Sequence, residues 1–219
     1  MRINRFIAAS TGMSRRAADS VITSGRVLVN GKVPQTGQDI TDADVVVLGG
    51  ERLRVAPTQT ILFHKPAGYV TSRDGQGSRT IYELLPPELH HLKPVGRLDK
   101  NSSGLLLLTN DGELAQELTH PSHQKIKMYE VQIDKPLQPL HRQMITEIGI
   151  TLDDGPSKFM LERITEGDDR DWRVTMHEGR NRQIRRTFEA LDYGVKRLHR
   201  THFGSYTLNN LKPGELKKL

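Results

Sequence analysis

Ile3, Phe6 and Ile7 are spaced i, i+3, i+4, which puts them on one face of a short helix. Thr11-Gly12 ends that helix. Ser14 stands at the N-cap position of a second helix, whose inner side is Ala18, Val21 and Ile22 and which closes at Gly25. Val27-Leu28-Val29 and Val33 flank Asn30-Gly31, a strong hairpin signal that predicts pairing across the turn. A further strand is expected over Val45 to Leu48, followed by Gly49-Gly50 and a linker reaching about Gln59. Beyond residue 60 the pattern changes. Ile61-Leu62-Phe63 and Leu105 to Leu108 are short apolar runs that suit buried strands. Tyr129, Val131 and Ile133 alternate with polar residues, as do Trp172, Val174 and Met176, so both segments predict strands with one solvated face. Helices are expected over 113–119, 140–148 and 181–191.

Strands outnumber helices and do not alternate with them one for one. The predicted class is therefore α+β: a small module over residues 1–56, and a larger domain over 57–219 with a mixed, mainly antiparallel sheet flanked by helices and loops. A chain of 219 residues with 35% hydrophobic positions can bury such a core. No stretch approaches the roughly 20 apolar residues of a membrane span, and the first residues lack the apolar centre of a secretory signal. The absence of cysteine excludes disulfides, thiolate catalysis and cysteine-bound zinc. These features fit a cytoplasmic monomer.

Charge narrows the partner. The formal net charge is +6 and the isoelectric point about 9.6, which favours polyanions: nucleic acid first, an anionic membrane surface second. In residues 1–56, eight basic side chains face five acidic ones. The exposed candidates for RNA contact there are Arg2, Arg5, Arg15, Arg16, Arg26 and Lys32. A solvated helix face is the bland alternative. The order helix, turn, helix, hairpin, with the motifs Ser14-Arg15-Arg16-x-Ala18 and Gly25-Arg26-Val27-x-Val29-Asn30-Gly31, resembles the S4-type RNA-binding domain.

In the larger domain, Gly96-Arg97-Leu98-Asp99-Lys100-Asn101-Ser102-Ser103-Gly104 is a polar loop entering the Leu105–Leu108 run. A strand fixes what its entry loop carries. Asp99, between Arg97 and Lys100, is read as an ionised carboxylate able to act as nucleophile or base; on spacing alone an Asx-turn or capping role is the ordinary reading.

Gly96-Arg97-Leu98-Asp99 followed by Ser-Gly-Leu-Leu-Leu-Leu-Thr-Asn-Asp-Gly resembles the signature of pseudouridine synthases. So do Lys65-Pro66-x-Gly68, Arg73-Asp74-Gly75-Gln76-Gly77, Lys127-x-Tyr129-x-Val131 and Glu178-Gly179-Arg180-Asn181-Arg182-Gln183-Ile184-Arg185. Within these enzymes the chain is similar to the RsuA/RluB/RluE/RluF group, which carries an S4-type domain and modifies ribosomal RNA. The resemblance implies that Asp99 is the catalytic aspartate and that Tyr129 stacks on the target uracil. It also implies that Arg185 pairs with the aspartate, and that Leu198, with Arg97, belongs to the uridine pocket. Uridine isomerisation breaks an N-glycosidic bond, turns the base and forms a C–C bond without redox change, so no cofactor and no metal are expected.

Between Glu178 and Phe203 seven basic residues face three acidic ones. Ile184, Phe188 and Leu191 form the apolar stripe of the helix, and Arg182, Arg185, Arg186 and Glu189 share the opposite or flanking face; of these, Arg185 is the one the resemblance turns inward. With the neighbouring Lys196-Arg197-Leu198-His199-Arg200, these residues and Arg180 read as the wall of an RNA channel; a solvated basic face is the ordinary alternative. Arg73 and Arg79 bound a segment read as a mobile RNA-facing loop. The nine histidines lack metal-ligand spacing. The expected partner is structured ribosomal RNA, in a subunit or an assembly intermediate, and not a membrane. A ribosome-assembly or RNA-chaperone protein, and an RNA-modifying enzyme of another chemistry, are the competing readings.

Overall fold

The computed structural model describes residues 1–219. The first elements are α1 (Ile3–Thr11) and α2 (Arg15–Thr23), followed by β1 (Val27–Val29), β2 (Val46–Leu48) and β3 (Glu51–Arg52). Gly12 ends α1 in the left-handed conformation, and the Ser14 hydroxyl caps α2 by accepting from Ala17 N at 3.1 Å. Ile3, Ile7, Ala18, Ile22, Val27, Val29, Ile40 and Val46 close a small core of their own.

Two local expectations change here. Asn30 and Gly31 both take positive φ, and Val29 bonds to Lys32 across them, so the tight turn forms. The hairpin stops there, and β1 pairs instead with β2, Val27 opposite Leu48. Pro34 has no N–H to continue a ladder, and Val33 is exposed. The segment read as linker from Gly49 onward first adds β3 to this sheet, Val47 opposite Arg52.

The remaining chain forms β4 (Thr60–Lys65), β5 (Lys93–Val95), β6 (Ser103–Thr109), α3 (Gly112–Thr119) and β7 (Lys127–Ile133). Next come α4 (Pro139–Gln143), β8 (Ile150–Leu152), β9 (Gly155–Ser157), β10 (Met160–Arg163) and β11 (Asp171–Met176), and finally α5 (Gln183–Glu189), β12 (Val195–Phe203), β13 (Tyr206–Thr207) and β14 (Leu216–Lys218). Residues Met144–Ile148 extend α4 as a wider π-helical turn. One sheet runs β10-β11-β7-β12-β6-β4-β14, with β13 beside β12 and β5 beside β6. Its pairings are antiparallel except β12 with β6.

β6 shows why a continuous apolar run is needed. Leu106 and Leu108 face a core of 24 residues with Ile61, Phe63, Trp172 and Phe188. Leu105 and Leu107 face the other side, against Leu62, Val95, Leu118 and Phe203. A strand covered on both faces favours apolar side chains at successive positions, and each enclosed leucine contributes roughly 1.5–3 kcal/mol. β7 is covered more fully on one face: Tyr129, Val131 and Ile133 are buried while Gln132 is exposed. The small module and the larger domain touch through polar surface contacts, Arg5 with Glu113 of α3 at 2.7 Å and Lys93 Nζ donating to Met13 O at 3.0 Å. No helix is long and apolar enough to cross a membrane.

Candidate active site

Asp99 lies in the turn that leads from β5 into β6, where Ser102 N donates to Asp99 O at 3.0 Å. The turn is tied to the sheet from below. Lys65, at the end of β4, has no exposed surface, and its ammonium donates to the carbonyls of Ser102 (2.7 Å), Pro66 (3.0 Å) and Asp99 (3.2 Å). Thr71 closes the other side, its hydroxyl donating to Leu98 O at 2.8 Å and accepting from Leu98 N at 3.2 Å. Burial pulls the Lys65 pKa down to about 8; the Asp99 charge opposes this and Arg200 adds to it.

Above the turn is an open cleft of about 410 Å³, within the range of about 300–1,000 Å³ usual for small-molecule sites. Arg97, Asp99, Tyr129, Arg180, Arg182 and Leu198 all line it. The sheet register explains the grouping. Leu198 stands opposite Val131 and Arg200 opposite Tyr129 on the β7–β12 ladder, so tyrosine, leucine and arginine share one surface. Gly104, at φ +109°, lets β6 approach β12: a Cβ there would lie 2.2 Å from Arg200 O.

Arg185 sits deeper than the cleft wall, and its geometry corrects one expectation. It is buried as anticipated, but its guanidinium makes no ion pair with the Asp99 carboxylate. It donates instead to Val195 O (2.9 Å), Asn101 O (3.0 Å) and Ser102 Oγ (3.3 Å), joining α5, β12 and the end of the Asp99 turn. Burial and the nearby Arg182 lower its pKa, while Asp99 acts to raise it.

Arg182 lines the cleft with its guanidinium on Glu189 at 3.3 Å, and the other arginines expected to contact RNA fall into three groups. Arg180 and Arg186 are turned to Asp154 on the β8–β9 hairpin, at 2.8 and 2.7 Å, so they brace α5 and are not free cations at the rim; this changes the picture of an unpaired basic wall. Arg73 and Arg79 stay exposed, yet each is anchored, Arg73 over the Tyr82 ring at 4.4 Å, and Arg79 over Tyr69 at 4.6 Å and bonded to Glu83 at 3.1 Å. That segment is thus pinned at both ends. In the small module Arg2 pairs with Asp39 (3.4 Å) and Arg5 reaches Glu113, whereas Arg15, Arg16, Arg26 and Lys32 are exposed.

Among the side chains lining or supporting the cleft that had no assigned role in the sequence are Lys65, Lys127, Ser102 and Thr71. Lys65 and Lys127 stand in recognisable motifs. Only the tertiary structure shows that one holds the turn and the other faces the cleft. No group of three or more His, Asp or Glu side chains is placed to hold a metal ion.

The model of the RNA pseudouridylate synthase family matches residues 59–190. The chain is 38% identical to the ribosomal large subunit pseudouridine synthase B of Xylella fastidiosa (strain Temecula1), over 94% of its own length but 46% of that protein; it spans about half the length of this relative and less than half of two others. It is 34% identical to the protein of the same name from Bacillus subtilis, covering 100% of this chain and 91% of that one. A crystal structure of a pseudouridylate synthase superposes with a TM-score of 0.71 at 33% identity, covering 100% and 96% of the two chains. The chain belongs to the RNA pseudouridylate synthase family.

Proposed function

We propose that this chain isomerises uridine to pseudouridine in ribosomal RNA, with Asp99 as the catalytic carboxylate. The observation that carries the reading is the placement of Asp99 in a rigidly tied turn, at a cleft that also presents Tyr129 and Leu198. The relatives' names point to ribosomal RNA of the large or the small subunit. A flat aromatic face and an aliphatic side chain suit a base that has left its stack, at a cost of about a few kcal/mol. Arg185 serves as a positioning residue, because it bonds to the backbone of the Asp99 turn. Arg97, exposed at the cleft, reaches the RNA beside the target.

Residues 1–56 supply the grip on RNA as an S4-type domain, with Arg15, Arg16, Arg26 and Lys32 meeting phosphates, and residues 57–219 carry the chemistry. Shape and phosphates are what a protein reads on folded RNA, and the polar surface contacts between the two parts allow them to approach one RNA together. Pseudouridine mapping of ribosomal RNA and of assembly intermediates, after incubation with the wild type or Asp99→Asn, tests this directly. A new site made by the wild type alone is expected. No new site with either protein overturns the reading; a site made equally by Asp99→Asn removes Asp99 from the chemistry.

A further inference from the structure

Arg200 is 2% exposed and lies at the junction of three strands, opposite Tyr129 of β7 and beside Gly104 of β6. Its Nε donates to Leu105 O at 2.8 Å and its guanidinium sits 4.8 Å from the centre of the Phe203 ring. Nη2 is enclosed and has no hydrogen-bond partner. No carboxylate lies at ion-pair distance. Lys127, opposite Phe203 in the register, places its ammonium 5.4 Å from the same ring. It donates only to the neutral carbonyls of Lys125 (3.0 Å) and His177 (3.4 Å). Both side chains line the cleft that holds Asp99.

Two cations around one aromatic ring, with no acid paired to either, are costly to enclose. Burial lowers the Lys127 pKa, and the Arg200 charge lowers it further, with Glu178 opposing. An anion entering between them would restore the missing partner. A neutral uracil oxygen would take a hydrogen bond and leave the charge uncompensated, whereas a phosphodiester supplies both acceptors and charge.

We propose that Arg200 and Lys127 form a phosphate subsite inside the cleft, holding a backbone phosphate of the same nucleotide whose base meets Asp99; this rests on the uridine-isomerase reading above. The subsite registers the flipped nucleotide by its charge while Tyr129 and Leu198 take the base. Cation–π contact with Phe203 helps hold both cations in place.

The test is titration calorimetry of the full chain with uridine, uridine 5′-methylphosphate and uridine 3′-methylphosphate, diesters that keep the single backbone charge. One methylphosphate is expected to bind at least about tenfold tighter than uridine, as a charge-assisted contact would give. Lys127→Gln and Arg200→Gln should each remove most of that advantage, and Asp99→Asn should keep it. Lys127 is half-buried, so its variant decides the matter should Arg200→Gln fail to fold. Equal binding of uridine and both methylphosphates, or a full advantage in Lys127→Gln, overturns the subsite. Equally tight binding of the matching cytidine methylphosphate, with the advantage still dependent on Lys127, supports the subsite while overturning uridine selectivity.

Discussion

Lys65 Nζ lies 3.2 Å from the carbonyl oxygen of Asp99, reaching it from beneath the turn rather than from the cleft. The same ammonium holds Ser102 O and Pro66 O, so one side chain gathers three carbonyls around the residue assigned the chemistry. Lys65→Met would leave those carbonyls without their charged donor, each such bond being worth about 1.5–3 kcal/mol. A lower melting temperature and a turnover reduced at least about tenfold are expected, measured well below the melting point. Affinity for RNA should change by less than about twofold, since Lys65 touches no solvent. Wild-type turnover in a folded Lys65→Met protein would deny Lys65 its positioning role.

The same lysine gives a pH dependence in which stability and activity move in opposite directions. Burial brings its pKa to about 8, below the ordinary 10.5. Between these values the unfolded chain carries the proton and the folded chain does not, so the Lys65 contribution to stability rises with pH across that window. Activity should fall there, because a neutral amine has two N–H groups for three carbonyls. The profile of kcat should show an alkaline limb near pH 8 that is missing from the residual rate of Lys65→Met. A limb that persists in the variant belongs to another group.

Period and run length exposed the strands because they report directly which faces are covered. Leu105 to Leu108 reads as a buried strand and is covered on both faces; Tyr129-Val131-Ile133 reads as a strand with one solvated face, and of its outer residues Gln132 is exposed while Met128 and Glu130 are half-buried. Asn30-Gly31 fixed a turn but not its partner, because Pro34 ends the ladder and β2 arrives from 15 or more residues later. Lys65 reads as a strand-end lysine, since its acceptors at Asp99 and Ser102 are distant in sequence. Arg185 could be placed inward from its motif, not from the helical period, which puts it opposite or beside the apolar stripe. That it bonds the backbone beside Asp99, not the carboxylate, depends on how α5 meets the turn. Arg200 reads from sequence only as part of the basic Lys196–Arg200 segment, and its buried place beside Tyr129 and its lack of a partner are visible only in three dimensions.

Gly104→Ala probes the seam under the site. The residue has φ +109°, and a Cβ would lie 2.2 Å from Arg200 O and 2.6 Å from Arg200 N, both backbone atoms that cannot swing aside. β12 and β6 would have to separate where they run parallel, displacing Arg200 and the start of β6 together. A loss of at least about 2 kcal/mol in denaturant unfolding is expected, as for other strained or overpacked positions. Gly112→Ala, where no heavy atom lies within 4 Å of the Cβ, is the control and should cost little. Equal stability of the two variants would mean that the β6–β12 approach is not tight.

The role given to the small module can be separated from that of the cleft by salt. Arg15 and Arg16 are exposed at the start of α2, and Arg15 makes one side-chain bond, to Asn4 Oδ1 at 3.3 Å. Replacing both with alanine removes little packing, so the fold should survive with a melting temperature near that of the wild type. If each meets a phosphate, the slope of log K against log salt should fall by about 0.7–0.9 for every arginine replaced. Turnover at saturating RNA should stay close to wild type, because neither arginine lines Asp99's cleft. The opposite pattern, an unchanged salt slope with reduced turnover, would detach RNA binding from these arginines and make the module a support for the catalytic domain through Arg5–Glu113 and Lys93–Met13 instead.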